Sequence, residues 1–457
     1  MNKKLVALGT VVALGVVYVA ATAYVGSKTE DVVRAQVASV NEKLHEQIHT
    51  ESSGDFAKLN ILGFERELFK SVAIYQLEAK VGADAVDFQF QDTYYHGPWP
   101  AAAVASGKFA PVLSYSQTEL LKTTDAEPWF NAANGENPFV AETVYHLNGS
   151  MDSDMAFAPL AFSNDELVVE VAKTTMQFKV GKNIANNSGH GSLPSVVVKS
   201  AQGEDSVFFN NIRFKGNSAE ANGEIKNQYD AQVDSIEINS GFGTNITINN
   251  FSVDGEGRQY GELIDAGLTY RLAELKLNQQ AMGSFELGTY AKHIDYAVLK
   301  EIGALSEKAE ENIDVLEPLL RKLLVAKPEL SVSPFIWRNS GGETRVDFTT
   351  VLKTTQENAP TEEMFETLNL SASVSRDMVM AIMGSEAGFM SALVETIFDE
   401  KVKQLSEQQL ITYANNTAEF DLSYNGADRS VVLNGRAMTL DEFAAIAGSH
   451  MAPLLSF

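Results

Sequence analysis

Apolar and polar residues alternate along much of the middle of the chain. Val86, Phe88 and Phe90 alternate with Asp87 and polar glutamines, a period that places the apolar side chains on one face of a strand. Similar stretches occur at Leu167–Val171, Ile236–Ile238, Ile246–Ile248, Leu268–Leu272 and Val346–Phe348. Turn sequences separate them: Asn148-Gly149, Gly241-Phe242-Gly243 and Gly255-Glu256-Gly257. The pattern predicts a largely antiparallel sheet.

A period near 3.6 residues appears on both sides of this region. Apolar positions three and four apart predict an amphipathic helix from Thr29 to His49 and a second helical segment around Phe64 to Leu77. Later helices are predicted at Ala304–Ala326, where Pro318 starts a new segment, near Thr361–Thr367, and at Arg376–Leu410. Strands are predicted at Leu330–Leu352, Leu368–Val374, Ala418–Tyr424 and Val431–Leu433.

These elements predict a sheet-rich α+β protein with an N-terminal membrane helix and an elongated, antiparallel ectodomain with covering helices. The predicted regions are a cytoplasmic tip and anchor (1–26), a juxtamembrane helical segment (27–80), a β-rich body (81–300) and an α+β C-terminal part of the same ectodomain (301–457). Two similar stretches, Asn210–Ile225 and Asn249–Leu263, indicate a duplicated strand unit.

The N-terminus predicts the compartment. No charged residue occurs between Leu5 and Gly26, a length that lets a helix cross the bilayer. Because Lys3 and Lys4 precede this stretch, the N-terminus is predicted in the cytoplasm and the body on the other side. The alternative is a signal peptide cleaved after Ala23 in Ala21-Thr22-Ala23. The prediction is a single-pass bacterial inner-membrane protein with a periplasmic body.

Composition narrows the classes of partner and chemistry. The net charge of -25 disfavours nucleic acid and anionic membrane surfaces as partners. Because the chain contains no cysteine, it has neither disulfides nor thiolate metal sites. The sequence leaves the oligomeric state open, a homo-oligomer included.

Two short motifs resemble a known family. "HGPWP" (His96 to Pro100) follows the first predicted strand, and "VVLNGRAMTL" (Val431 to Leu440) lies near the end of the chain. With the lysine pair and the single anchor, they resemble the YdgA-like family of inner-membrane-anchored bacterial proteins of unknown function. The resemblance covers essentially the whole chain and implies a periplasm-facing protein with no established catalytic residue. The recurrent pattern of strands and turns, taken alone, is more weakly similar to that of AsmA-like envelope proteins that handle lipid.

The residues that mark the family are predicted to have structural roles. They are His96, Gly97 and Pro98, together with Asn434 and Gly435. Counting by twos places His96 on the buried face of its strand, and the prolines predict that the strand ends there and that Trp99 closes it. The dipeptide Asn434-Gly435 predicts a tight hairpin turn.

"HEQIH" (His45 to His49) matches a zinc-peptidase motif. His45 and His49 lie one helical turn apart, and Glu46 is placed to activate water. Polar neighbours surround the motif, so a solvated helix face is the simpler interpretation, and no metal or cofactor is predicted. A zinc-dependent hydrolase remains the minor alternative, with Glu65 or Glu67 as the third ligand.

The function predicted first is that of a non-enzymatic envelope scaffold or interaction module. No nucleophile elbow, phosphate loop or dinucleotide fingerprint occurs in the sequence. The alternative is a lipid-binding or lipid-transfer protein, because a long sheet with one apolar face must cover that face with helices, another sheet or a ligand. Possible partners are therefore the inner membrane, an envelope lipid or a periplasmic protein.

Overall fold

The computed structural model describes residues 37–38, 41, 56–81, 84–183, 185–305, 313–354, 361–383 and 388–446. They belong to two compact units, Met1–Glu220 and Ala221–Phe457. Strands dominate both units and pair antiparallel, which confirms the sheet-rich α+β class. Within the described ranges, no helix combines the length and the apolar character that a membrane crossing needs. The predicted anchor, residues 5–26, lies outside them.

The first unit is an antiparallel sheet with two short helices. Its strands are β1 (Phe56–Arg66), β2 (Lys70–Val81), β3 (Asp84–His96), β4 (Ser114–Leu120), β5 (Phe139–Tyr145), β6 (Met151–Phe157), β7 (Leu160–Ser163), β8 (Leu167–Val171), β9 (Thr174–Val180), β10 (Asn187–Ser200) and β11 (Ser206–Ala221). Its helices are α1 (Ala101–Ala105) and α2 (Glu127–Ala132). Strands β1 to β6 form a meander in which each pairs with the next. Beyond β6 the sheet continues through β9, β10 and β11.

Two breaks between consecutive strands lie side by side in this sheet. Strands β8 and β9 lie in line along one edge of the long strand β10, with a break at residues 172–173. Strands β6 and β7 pair with β9 and β8 respectively, and their break falls at residues 158–159. Because Pro159 cannot donate a backbone hydrogen bond, it suits the gap between the two strands.

The second helix predicted around Phe64 to Leu77 is wrong. This segment forms the end of β1, a turn and most of β2. Tyr75 and Leu77 are buried, while the residues beside them face the other side of the sheet. The apolar residues here also fit a period of two, and pairing with both β1 and β3 decides in favour of a strand.

The segment predicted as a helix from Thr29 to His49 is described at three residues. Val37, Ala38 and Asn41 are helical, and Val37 is buried in the core of the first unit. The Asn41 side chain donates to the Leu59 carbonyl at 2.8 Å and accepts from the Leu59 N–H at 2.7 Å. These bonds satisfy backbone groups of β1.

The second unit is a longer antiparallel sheet with more helices. Its strands are β12 (Glu224–Asn239), β13 (Asn245–Tyr260), β14 (Leu263–Leu277), β15 (Gln280–Asp295), β16 (Glu329–Asn339), β17 (Gly342–Leu352), β18 (Phe365–Ser375), β19 (Thr412–Ala414), β20 (Thr417–Asn425), β21 (Ser430–Leu433) and β22 (Arg436–Thr439). Its helices are α3 (Tyr296–Leu305), α4 (Ile313–Leu323), α5 (Arg376–Met383) and α6 (Gly388–Glu407), with 3-10 turns at Leu324–Ala326 and Thr361–Met364. Strands β12 to β18 form a meander, and β20, β21 and β22 extend it.

One face of the second unit's sheet is apolar and the other is charged. A row of paired apolar residues crosses β13 to β17: Val253, Tyr270, Leu287, Phe335 and Val346. On the other face, Arg271 forms ion pairs with Asp254 and Glu286. This segregation explains the period of two in the sequence.

The duplicated strand unit has a structural counterpart. Asn211 in β11 and Asn250 in β13 both have positive φ, 53° and 50°, and the pairing register skips each of them. The unit therefore repeats a residue with positive φ inside a strand as well as a sequence. The turn predicted at Gly255-Glu256-Gly257 is wrong, because these residues lie inside β13, where Leu268 of β14 packs over Gly255.

Pro318 does not start a helical segment as predicted. It lies inside α4, five residues after the first helical residue, Ile313. The carbonyl that its missing N–H leaves free belongs to Asp314, close to the start of the helix.

Candidate functional site

A cavity of about 640 Å³ lies in the first unit, where the breaks in β6–β7 and β9–β8 open the sheet. Residues of α2, β6 to β11 and their connections line it, among them Trp129, Phe162, Val169, Val196, Ile212 and Phe214. Among the described residues no charged side chain lines the cavity. Its volume falls within the roughly 300–1,000 Å³ typical of small-molecule pockets.

The period of two along β8 and β10 builds the cavity wall. Val169 and Val196 line it, whereas their neighbours Val168 and Val197 do not. Val196 pairs with Val171, which also lines the cavity. Alternate residues of both strands thus supply the apolar surface, and the residues between them face away.

Trp129 stands at one side of the cavity on α2. Its ring packs edge-on against Phe88, with centroids 5.8 Å apart, and against Phe162, with centroids 5.5 Å apart. Pro128 precedes it in the first turn of α2, where the missing N–H costs no helical bond. The two aromatic contacts hold Trp129 in place, half-buried beside the cavity.

Two polar residues of the lining, Asn164 and Thr174, have partners in the chain. The Asn164 side chain accepts from the Glu166 and Leu167 N–H groups at 3.0 and 2.7 Å, and the Thr174 hydroxyl donates to the Ala172 carbonyl at 3.2 Å. These bonds stabilise the turns at the wall. The arrangement suits a ligand that is itself apolar.

Gly191 lets an aromatic side chain form part of the wall. A Cβ at this position would lie 2.4 Å from Cζ of Phe214, so the ring crosses the space that a side chain would fill. Phe214 pairs with Gly191 across β10 and β11. The glycine therefore determines where the Phe214 ring lies at the cavity.

A second group of functional interest is the buried carboxyl group of Asp92. It is 0% exposed, its Oδ1 accepts from the Thr118 hydroxyl at 3.1 Å, and its Oδ2 has no hydrogen-bond partner among the described residues. Burial raises the pKa of this carboxyl to about 6, and the nearby hydroxyls of Tyr94, Thr118 and Ser116 oppose the rise.

The phenols beside Asp92 belong to the same polar cluster. The Tyr75 and Tyr94 hydroxyls are 3.0 Å apart, and burial raises the pKa of both phenols. A perturbed pKa often marks a catalytic group. Asp92, however, has no exposed surface that a substrate can reach, so we assign this cluster to the core.

The first family motif ends a strand. β3 ends at His96, whose Nε2 lies 2.8 Å from the Ser71 hydroxyl, and Gly97 turns the chain with φ 102°. Burial and the nearby charge of Arg66 lower the pKa of His96. The Pro98 carbonyl accepts from the Val112 N–H at 2.9 Å and so holds the end of the turn.

The prediction that Trp99 closes this strand is wrong. The side chain is 62% exposed, and its Nε1 donates to the Phe109 carbonyl at 3.2 Å. The space beside the strand end is filled by Ala103, Val112, Tyr115 and Val144. Because this small cluster already covers the strand end, Trp99 projects outward.

The second family motif forms the predicted hairpin. Asn434 and Gly435 connect β21 and β22 with φ 49° and 79°, values that favour asparagine and glycine. The Asn434 side chain accepts from the Asp421 N–H at 2.9 Å and donates to the Leu410 carbonyl at 3.1 Å. It joins the hairpin to its neighbouring segments.

The zinc motif cannot be placed. His45, Glu46 and His49 lie outside the described residues, so the prediction of a solvated helix face stays a prediction. Within the described part of the chain, no three His, Asp or Glu residues are grouped to hold a metal ion.

Comparison with known proteins shows the family. The model of the family described as "Bacterial protein of unknown function (DUF945)" matches residues 1–441. The chain belongs to this family. It is 26% identical to Protein YdgA of Escherichia coli (strain K12), over 98% of this chain and 97% of that protein. These matches confirm the resemblance to YdgA-like proteins.

Two further proteins are similar to this chain. The chain is 23% identical to the uncharacterized protein YihF of Escherichia coli (strain K12), over 97% of this chain and 98% of that protein. It is 28% identical to an uncharacterized protein of Haemophilus influenzae, over 41% of this chain and 51% of that protein. No solved structure matches the chain. The biochemical activity of the family is unknown, which agrees with the activity left open by the sequence.

Proposed function

We propose that this DUF945 protein is a membrane-tethered protein of the bacterial cell envelope that binds the hydrocarbon chain of a lipid. The observation that supports the proposal is the cavity of about 640 Å³ with no charged lining residue among those described. It favours the lipid-binding alternative over the scaffold predicted first from the sequence.

The size and chemistry of the cavity fit one acyl chain. At about 30 Å³ for each water-sized group, the cavity has room for roughly 20 such groups, comparable to a long acyl chain. Each methylene moved from water into the cavity contributes about 0.8 kcal/mol, so a chain in the cavity is favoured over the same chain in water. A polar headgroup finds no charged partner in the lining and stays outside.

The tether is the other part of the proposal. The uncharged stretch from Leu5 to Gly26 would hold the protein in the inner membrane with its body in the periplasm. An enzymatic role is not proposed, because the perturbed carboxyl group of Asp92 has no exposed surface. Binding of a chain needs no reacting group.

The expected result is that the full-length protein retains lipid after purification. Because an apolar chain in the cavity is removed from water, it should survive washing with detergent-free buffer after reconstitution into lipid-free polymer particles. Mass spectrometry of extracted lipid should find about one acyl-chain lipid for each protein. Particles formed with the isolated anchor peptide serve as the control for lipid bound around residues 5–26.

One outcome would contradict lipid binding in the cavity. If the full-length protein carries no more lipid than the anchor peptide, the cavity does not hold a chain, and the scaffold role becomes the better hypothesis.

A further inference from the structure

Five large apolar side chains project into solvent at one end of the first unit. Leu68 and Phe69 lie on the β1–β2 turn, Trp99 and Phe109 on the β3–β4 connection, and Leu147 on the β5–β6 turn. Between 60% and 82% of each is exposed. In a meander these three connections lie at the same end of the sheet, so the side chains form one group, called here the apolar rim.

Backbone hydrogen bonds join the three connections of the rim. The Phe69 carbonyl accepts from the His96 N–H at 2.8 Å, next to the segment that bears Trp99. The Leu113 N–H donates to the Tyr145 carbonyl at 2.7 Å and joins the second connection to the start of the third. With strands about 4.8 Å apart, four strand spacings give the rim a width of about 19 Å.

Two lysines beside the rim are paired with carboxylates. Lys70 lies 3.6 Å from Glu67, and Lys108 lies 2.9 Å from Asp154. These pairs leave little net positive charge to attract anionic surfaces. A surface of exposed aromatic and aliphatic groups with locally balanced charge suits the interface of a bilayer, where Trp is enriched.

We propose that the apolar rim inserts into the interface of the membrane that holds the chain. The inference takes the tether from the proposed function and does not depend on lipid binding in the cavity. Residues 27–36 separate the uncharged stretch from Val37 and span up to about 33 Å when extended. Asn41 is bound to Leu59, which lies about 23 Å from the end of β1 at the rim. The connecting chain is therefore long enough to bring the rim to the bilayer surface.

Rim insertion has a consequence for the cavity. Strand β6 starts at Met151, at the rim end, and reaches the cavity at Phe157. Six residues of strand span about 20 Å. With the rim in the interface and β6 along the membrane normal, the cavity lies about 20 Å from the bilayer surface, where it can hold a chain only after that chain has left the membrane.

The three tryptophans of the chain provide a direct test, because one is in the rim. They are Trp99, Trp129 and Trp337. A variant with Trp129→Phe and Trp337→Phe retains only Trp99. The full-length variant is reconstituted into bilayers of zwitterionic phospholipid with bromine near the headgroup end of the acyl chains, and into the same bilayers without bromine. Bromine should quench Trp99 emission several-fold, and high salt should leave the quenching unchanged.

The experiment tests the rim proposal and the tether separately. Replacement of Leu68, Phe69 and Phe109 by serine should reduce Trp99 quenching, whereas Val140→Ser, at an exposed apolar position on β5 away from the rim, should not. Membrane-bound protein with Trp99 emission unaffected by bromine would overturn the rim proposal and leave the tether intact. Protein that fails to float with the vesicles would overturn the tether, and with it the rim proposal.

Discussion

Replacing Val196 with tryptophan is expected to lower the lipid content of the purified protein about fivefold or more, because overpacking typically costs about 1–3 kcal/mol and 1.4 kcal/mol is tenfold in affinity. Val196 lines the cavity from the centre of its β10 wall, paired with Val171 of β8. The larger ring would occupy the space proposed for the chain. Mass spectrometry of extracted lipid measures the effect.

The matched control is Val197→Trp. Val197 is the next residue of β10, is also half-buried, and does not line the cavity. The same change in size on the opposite face should leave lipid content unchanged. Equal lipid loss in the two variants would indicate a general disturbance of the sheet, and undiminished lipid in Val196→Trp would place the bound chain elsewhere.

The second large effect is expected from Asp92, whose charge is buried without full compensation. Its native pKa of about 6 lies above the ordinary value of 3.8. Folding is therefore favoured while the group is protonated, and the contribution is fully present below pH 3.8 and lost as the pH rises through 6. A pKa difference of about two between the folded and unfolded protein corresponds to about 3 kcal/mol in the free energy of unfolding.

Asp92→Asn should remove this pH dependence. The amide is similar in size and neutral at every pH, so the thermal midpoint of the variant relative to the parent should rise between pH 4 and pH 7, by about 2–4 °C for each kcal/mol. Thr118→Val is the control, because it keeps the carboxyl group and removes only the hydroxyl that donates to it. If the difference in thermal midpoint between the parent and Asp92→Asn stays constant with pH, the pKa of Asp92 is not raised.

The sequence predicted the strands well wherever alternation was clear. The stretches around Phe88, Val169 and Val346 all lie in strands, and the hairpin at Asn434-Gly435 was signalled by its turn dipeptide. In these segments local pattern and tertiary pairing favour the same structure. The family resemblance rested on two motifs, His96–Pro100 and Val431–Leu440, together with the lysine pair and the predicted anchor. Residues of the two motifs hold strand ends and turns.

The errors have a common physical cause. From Phe64 to Leu77 the apolar residues fit both helix and strand periods, and pairing of this segment with its neighbours β1 and β3 decides between them. Trp99 was expected to cover the strand end, but the nearby residues Val112 and Tyr115 already do so. In each case a tertiary contact determined the outcome.

The cavity could not be predicted from the sequence. Alternation at Leu167 to Val171 indicated a strand with one apolar face, but gave no sign that this face lines a space. The space depends on two breaks that align between different strand pairs, one of them at Pro159. Proline marks a probable interruption, whereas the alignment of two interruptions arises only from the register of the sheet.

The most direct test of lipid binding uses Trp129 as a reporter inside the cavity wall. A full-length variant with Trp99→Phe and Trp337→Phe retains only this tryptophan. Reconstituted into unbrominated bilayers, it is titrated with a long-chain fatty acid brominated along the chain. We expect saturable quenching of Trp129 emission that is abolished when Val196→Phe is added and preserved with Val197→Phe, because phenylalanine enlarges the side chain without adding a second emitter. Trp129 emission that stays unquenched at saturation, or falls equally in the Val196→Phe variant, would contradict a chain in the cavity.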